Sequence, residues 1–274
     1  MKAAAILCIA LGLSFGADMA LAGCNGDPQP CTLANGSYHI VLPNESGAPA
    51  PAVVFIHGYG SSGEGSLRNT GMVSTFLARG YAVIAPDGQP REGRPGRSWD
   101  FHPARPARRD EAAFIQAVAD DAAARFGLDR SIMLLAGFSI GGSMTSYLAC
   151  AAPDAFRAYA PVAGSFWRPH PEACAGPVDL LHTHGWKDSV VPLEGRVINA
   201  NFVQGDVFEA MQIWRNANGC RLQPEHFETK GTFRIRSWTN CISGARLDFT
   251  LHPGGHSVPP GWSDYTLDWF EALR

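Results

Sequence analysis

An apolar run, Ile132 to Ala136, leads straight into Gly137-Phe138-Ser139-Ile140-Gly141-Gly142, and a helical pattern follows from Gly142 to Ala152. A serine in this setting sits on a sharp turn between a strand and a helix, with its hydroxyl lifted clear of a sheet edge. The neighbouring glycines are a matter of space, because a larger side chain there would collide with the adjoining strand or helix. The same turn aims the Ile140 N–H and the positive end of the helix at one point, where an oxyanion could form. Ser139 is therefore the candidate nucleophile and Ile140 the first candidate oxyanion donor. The pentapeptide alone is a weak signal in a chain with 30 glycines; the strand before it and the helix after it are what make it informative.

Short β-rich runs alternate with helical patterns along the rest of the chain. Strands are expected at Tyr38 to Leu42, Val53 to Ile56, Tyr81 to Ala85, Ala158 to Ala163, Val178 to His182 and Leu247 to Leu251. Phe114, Val118, Ala122 and Phe126 recur every four residues and mark a helix from Glu111 to Phe126, stopped by Gly127. Further helices are expected at Gly71 to Ala78, Val207 to Asn216 and Ser263 to Leu273. The pattern is that of an α/β protein, a mostly parallel twisted sheet with helices on both faces. With 274 residues, 46% of them hydrophobic, the chain can bury one large core, so residues 23–274 are expected to form one domain.

A hydroxyl is a poor nucleophile at neutral pH and needs a base, itself oriented by an acid. In a strand-turn-helix serine site of this kind, acid and base follow in the chain order Ser, Asp or Glu, His. Val178 to His182 runs into His184-Gly185-Trp186-Lys187-Asp188, and Leu247 to Leu251 into His252-Pro253-Gly254-Gly255-His256, which puts Asp188 and His256 beyond strand ends. Asp206 and Asp264 open expected helices and read as caps. His252, His182 and His184 read as structural. Their spacing would also suit a metal, but no third ligand of matching spacing is evident, so neither metal nor cofactor is expected. His57-Gly58-Tyr59-Gly60 follows the second strand, and its glycines let the Tyr59 N–H turn toward the site as a second oxyanion donor. Trp99 and Phe166-Trp167 fall in loops near the expected pocket mouth, where Trp99 and Trp167 are candidates to line an aromatic site.

The first 22 residues read as an export signal: Met1 and Lys2, an apolar stretch to Gly16, and Ala20-Leu21-Ala22 for cleavage. The stretch is too short to span a bilayer. The chain is thus expected to be secreted or periplasmic. Beyond the signal stand Cys24, Cys31, Cys150, Cys174, Cys220 and Cys241, an even set suited to an oxidising compartment. Loop logic favours pairing sequence neighbours, 24 with 31, 150 with 174 and 220 with 241. A lipid anchor at Cys24 is the competing reading, disfavoured because it would strand Cys31. A formal net charge of -3, with both signs spread along the chain, gives no footprint for nucleic acid. One loop is unusual: Gln89 to Arg109 interleaves Pro and Gly with Arg91, Arg94, Arg97, Arg105, Arg108 and Arg109. It reads either as a rim attracting anions or as a solvated loop whose charges do little.

His57-Gly58-Tyr59-Gly60, Gly137 to Gly142, His184-Gly185 with Asp188 and Pro192, and Gly254-Gly255-His256 together resemble the secreted polyhydroxybutyrate depolymerase and feruloyl esterase family of α/β-hydrolases. The resemblance covers most of the chain after the signal, and Asn218-Gly219-Cys220 with Cys241 looks like that family's cysteine pair. It implies hydrolysis of carboxylic esters: short-chain esters, aryl esters of the feruloyl or acetyl kind, or hydroxyalkanoate oligomers. Only Gly164 to Pro177 lies between the strand after the elbow helix and the acid-bearing strand, so no large cap domain is expected. A serine peptidase of the same fold, usually carrying a gating domain, is the nearest rival. A non-catalytic binding protein is a more distant one, since such proteins commonly lose a member of the Ser-Asp-His set.

Overall fold

The computed structural model describes residues 23–44, 49–103 and 105–273; the expected export signal, residues 1–22, lies outside the described residues. Ten strands form one sheet: β1 (Cys31–Leu33), β2 (Gly36–Val41), β3 (Ala50–Ile56), β4 (Ala82–Pro86), β5 (Leu128–Phe138), β6 (Ala158–Val162), β7 (Leu180–Gly185), β8 (His226–Lys230), β9 (Phe233–Trp238) and β10 (Leu247–His252). Their spatial order is β1-β2-β4-β3-β5-β6-β7-β10-β9-β8. The stretch from β4 to β10 is parallel throughout, and antiparallel strands close both edges. Because β3, β5, β7 and β10 run the same way, the loops that leave their carboxyl ends emerge at one edge of the sheet.

Side chains alternate across the sheet into two cores. Ala52, Val54, Ile56, Met133 and Leu135 face one way, and Val53, Phe55, Leu134 and Ala136 the other. Helices α3 (Glu111–Phe126), α4 (Ile140–Ala151) and α5 (Val207–Ala217) cover the first face through residues such as Phe114, Met144 and Trp214. Helices α2 (Thr70–Ala78) and α6 (Trp262–Glu271) cover the second through Phe76, Trp262 and Phe270, after a short α1 (Gly63–Leu67). Local chemistry sets the helix limits. The Asp110 carboxylate accepts from the Ala113 N–H to open α3, and Gly127, at φ 66°, closes it with its N–H on the Ala123 carbonyl. Asp206 caps α5 in the same way. Asp264 is a correction: Gly261 occupies the cap of α6, and Asp264 sits in the first turn, where its charge favours the helix dipole.

The edge hairpin β8–β9 and the short β1 are additions to the strands read from sequence. Every residue of β8 is exposed, so it carries no hydrophobic period; β9 alternates buried Phe233 and Ile235 with exposed arginines, a period the sequence carries although no strand was expected there. Disulfides join Cys24 to Cys31, Cys150 to Cys174 and Cys220 to Cys241. The Cys24 sulfur is thereby committed, leaving no thiol for a lipid anchor. Among the described residues no helix is long and apolar enough to cross a membrane.

Two arginines of the Gln89 to Arg109 loop turn inward. Arg97 reaches Asp87 and the Gly88 carbonyl. Arg109 is buried, bonded twice to Glu111 at 2.6 and 2.9 Å and lying over the Phe114 ring. It also donates to the carbonyls of Asn35 and Asp87, tying α3 to the β1–β2 turn and to the end of β4. Replacing Glu111 with Ala leaves that guanidinium buried without its counter-charge, at an expected cost of about 3–5 kcal/mol in denaturant unfolding. The double change Arg109→Met/Glu111→Leu should cost clearly less, and an equal loss would show that shape, not charge, holds the junction.

Candidate active site

Ser139 stands between β5 and α4 with φ 58° and ψ −121°, a conformation that L-residues avoid at a cost of about 1–3 kcal/mol. Three close approaches hold it there. A Cβ on Gly137 would meet the Gly141 carbonyl, one on Gly141 the carbonyls of Ile56 and His57, and one on Gly164 the Ser139 carbonyl itself. The Ser139 N–H donates to Val162 at 2.9 Å, so the turn is fastened to the end of β6.

From the loop after β10, the His256 Nε2 lies 2.9 Å from Ser139 Oγ. Its Nδ1 lies 2.7 Å from Asp188 Oδ2, in the loop after β7. A carboxylate can only accept, which places the ring proton on Nδ1 and leaves Nε2 to accept from the serine hydroxyl. The two loops are knitted together, Trp186 N–H donating to His252 and Lys187 N–H to Gly254. Gly185 permits this, since a side chain there would strike the Gly255 carbonyl. Asp188 is buried, which pushes its carboxyl up, but hydrogen bonds from His256 and from the Val191 and Val190 N–H groups outweigh this and hold it below the ordinary carboxylate range. The acid loop is braced from beneath. His184 Nε2–H donates to the Val191 carbonyl at 2.8 Å, which leaves its Nδ1 to accept from His182 Nε2–H at 3.1 Å, the two rings stacked and buried.

Ile140 opens α4, so its N–H has no acceptor within the helix. Tyr59 lies after β3, and both residues line the same cleft as Ser139. The Tyr59 loop is fixed by His57, whose Nε2 accepts from Gly88 N–H at 3.0 Å while Nδ1–H donates to the Gly58 carbonyl at 2.8 Å. That loop is fastened a second time by Trp99, buried and donating from Nε1 to the His57 carbonyl. Trp99 thus walls the cleft chiefly as a brace. Trp167 is half-buried and donates to Ser143 Oγ, with Phe101 and Phe202 edge-on against its ring. Phe166, beside it, is packed in the core against Trp214.

The cleft measures about 810 Å³. Two segments wall it: the 89–108 loop, and a hairpin of Arg196–Asn199 and Phe202–Gln204 paired to Trp167–Arg168. Phe202, Arg196 and His102 belong to the cleft but were not foreseen: Arg196 lies on an exposed strand with no apolar period, Phe202 on a three-residue strand too short to show one, and His102 in the Pro- and Gly-rich loop. Among the described residues no group of three or more His, Cys, Asp or Glu side chains is placed to hold a metal ion.

A mostly parallel sheet with an exposed serine on a strained strand-to-helix turn defines the α/β-hydrolase class. Within it the chain belongs to a family of esterases. It is 31% identical over 246 residues to NocK, a protein of Nocardia uniformis subsp. tsuyamanensis described as an esterase, covering 80% of this chain and 70% of that one. It is 27% identical over 201 residues to feruloyl esterase B of Piromyces equi, covering 68% of this chain but only 35% of that one. Feruloyl esterase C of Emericella nidulans is 33% identical over 155 residues, 55% of this chain and 52% of that one. The chain therefore spans only about a third to a half of the length of these two feruloyl esterases. Residues 69–168 match the prolyl oligopeptidase family. The acetyl xylan esterase of Aspergillus awamori shares the fold at a TM-score of 0.65 and 18% identity, over 88% of this chain and 95% of that one.

Burial drives the His57 imidazole down to about 4 from an ordinary 6.5, and pushes His182 and His184 down as well. Between those two values the unfolded chain binds the proton and the folded chain does not. The stability the His57 ring contributes is therefore complete above about pH 6.5 and lost as pH falls toward about 4, amounting to about 3 kcal/mol, and His182 and His184 act in the same direction. The melting temperature should fall across that interval, with a shallower slope in His57→Gln.

Proposed function

We propose that this chain is a serine carboxylic-ester hydrolase working through an acyl-enzyme, with Ser139 as nucleophile, His256 as base and Asp188 as the acid that orients it. The observation that carries the reading is the unbroken run of hydrogen bonds from Asp188 through His256 to Ser139, ending on a hydroxyl held at a strained turn. His256 takes the hydroxyl proton through Nε2 as Ser139 Oγ attacks the ester carbonyl, and Asp188 stabilises the imidazolium. The backbone N–H groups of Tyr59 and Ile140 hold the tetrahedral oxyanion, each such donor typically contributing about 3 kcal/mol. His256 then passes the proton to the leaving alcohol. In the second half His256 draws a proton from water, whose oxygen attacks the acyl carbon, and then returns that proton to Ser139 Oγ as the free acid leaves.

The aromatic side of the cleft, formed by Trp167, Phe101 and Phe202, favours aryl esters of the feruloyl kind, with short-chain acyl and acetyl esters and hydroxyalkanoate oligomers as the other members of the class. Residues 1–22 act in this reading as an export signal and 23–274 as one catalytic domain; three disulfides suit an oxidising compartment outside the cytoplasm. A peptidase is the second reading, motivated by the prolyl oligopeptidase match. That match contains Ser139 but stops before Asp188 and His256.

Wild-type enzyme should release a burst of nitrophenol from 4-nitrophenyl acetate and take up a fluorophosphonate probe. Ser139→Ala and His256→Ala should each lower kcat by about 10⁴–10⁶-fold and Asp188→Asn by about 10⁴-fold, with KM changed little. Faster turnover of a matched anilide than of the ester would move the assignment to the peptidase.

A further inference from the structure

Charge is distributed unevenly around the cleft. The whole chain is acidic, with 25 Asp and Glu against 22 Lys and Arg, yet among the described residues five arginines and only two acids line the space above Ser139. One of those acids is already spent: Arg108 grips both oxygens of Asp100, at 2.8 and 3.1 Å. Arg91, Arg94, Arg105 and Arg196 then face a single opposing carboxylate, Glu92. Arg97 and Arg109, drawn from the same stretch of sequence, have turned inward to structural partners. Of the arginines left in the cleft, Arg108 is held by Asp100 and the Pro90 carbonyl and Arg91 by the Pro95 carbonyl and the Tyr59 hydroxyl, which leaves Arg94 and Arg105 as the ones with no such hydrogen-bond partner among the described residues.

Their arrangement is more than exposure. The Arg91 guanidinium lies 4.0 Å over the ring of Tyr59, the residue whose N–H faces the reaction centre in the proposed mechanism, and Arg105 lies 5.5 Å over Phe202. Contact with an aromatic face holds a guanidinium by its plane; Arg91 also donates to the Pro95 carbonyl and the Tyr59 hydroxyl, whereas Arg105 keeps the N–H groups of its edge to donate, the fork that matches a carboxylate. Arg196 comes from the opposite wall, bonded only to the neutral amide of Gln204. A cleft with low-dielectric aromatic walls focuses such a field.

We propose that the arginine-lined wall of this cleft is a carboxylate subsite, and that the ester this enzyme takes carries a free carboxylate in addition to its scissile bond. The inference rests on the ester-hydrolase reading for its substrate, although binding of the anion does not.

Two matched pairs of esters test it: mono-4-nitrophenyl glutarate with its methyl ester, which differ by a carboxylate on the acid side, and 3-acetoxybenzoate with its methyl ester, which differ on the alcohol side. The carboxylate form of at least one pair should show a kcat/KM about tenfold higher. That preference should shrink as sodium chloride is raised from about 0.05 to about 0.5 M. It should vanish in Arg94→Gln/Arg105→Gln, with turnover of the methyl esters unchanged. The pair that shows it assigns the carboxylate to the acid or the alcohol. In Ser139→Ala, tryptophan fluorescence should titrate with 3-acetoxybenzoate and not with its methyl ester, and the arginine double change should abolish the response. Hydrolysis of the methyl esters with neither carboxylate preference nor carboxylate binding overturns the subsite and leaves the esterase intact. Arginine-dependent binding in Ser139→Ala, with no ester turned over by the wild type, does the reverse.

Discussion

A serine at φ 58° is unstable on its own account, and most of what surrounds it serves to keep it there. The turn needs β3 and β6 close on either side, which is possible only because Gly137, Gly141 and Gly164 present no side chain to the carbonyls they touch. It needs a helix to begin at once, so that Ile140 offers an N–H with no acceptor. The sheet supplies the rigidity, since β5 is paired in parallel on both sides from Leu134 to Gly137, just before the turn. Strain of this size persists where packing over-determines it, and here two hydrophobic layers lock the strand from above and below.

The groups around the serine are held in set protonation states by what they touch. The Val191 carbonyl fixes the His184 tautomer, and that tautomer fixes the one hydrogen His182 can offer. The Gly88 N–H does the same for His57, whose burial then keeps the ring uncharged beside the Tyr59 loop. Asp188 stays ionised in a buried place because three donors converge on it. Neutral imidazoles beneath and a carboxylate above give His256 a fixed orientation without a second charge competing for it.

The cleft itself is built from segments that have little to do with the sheet. The 89–108 loop and the 196–204 hairpin bring aromatic rings and arginines together from distant parts of the chain, and the antiparallel pairing with Trp167–Arg168 closes the wall between them. The α/β framework thus fixes where a reaction can take place, while these two segments decide what can approach it.

Much of this was legible from residues alone. Alternating apolar runs located the parallel strands, the four-residue spacing of Phe114, Val118 and Ala122 gave α3 its limits, and glycines around Ser139, Gly185 and His256 marked backbone that must approach other backbone. Those signals are local, set by side-chain period and by the space a Cβ would occupy. The exposed strands β8 and Arg196–Asn199 have no period to read, and the cap of α6 went to Gly261, which enters the helix in the left-handed conformation at φ 77°. The arginines make the same point. Sequence showed six of them in one stretch, but which ones would turn inward to Asp87 and Glu111 and which would line the cleft depended on partners supplied by remote strands and helices. Only folding brings those partners within reach.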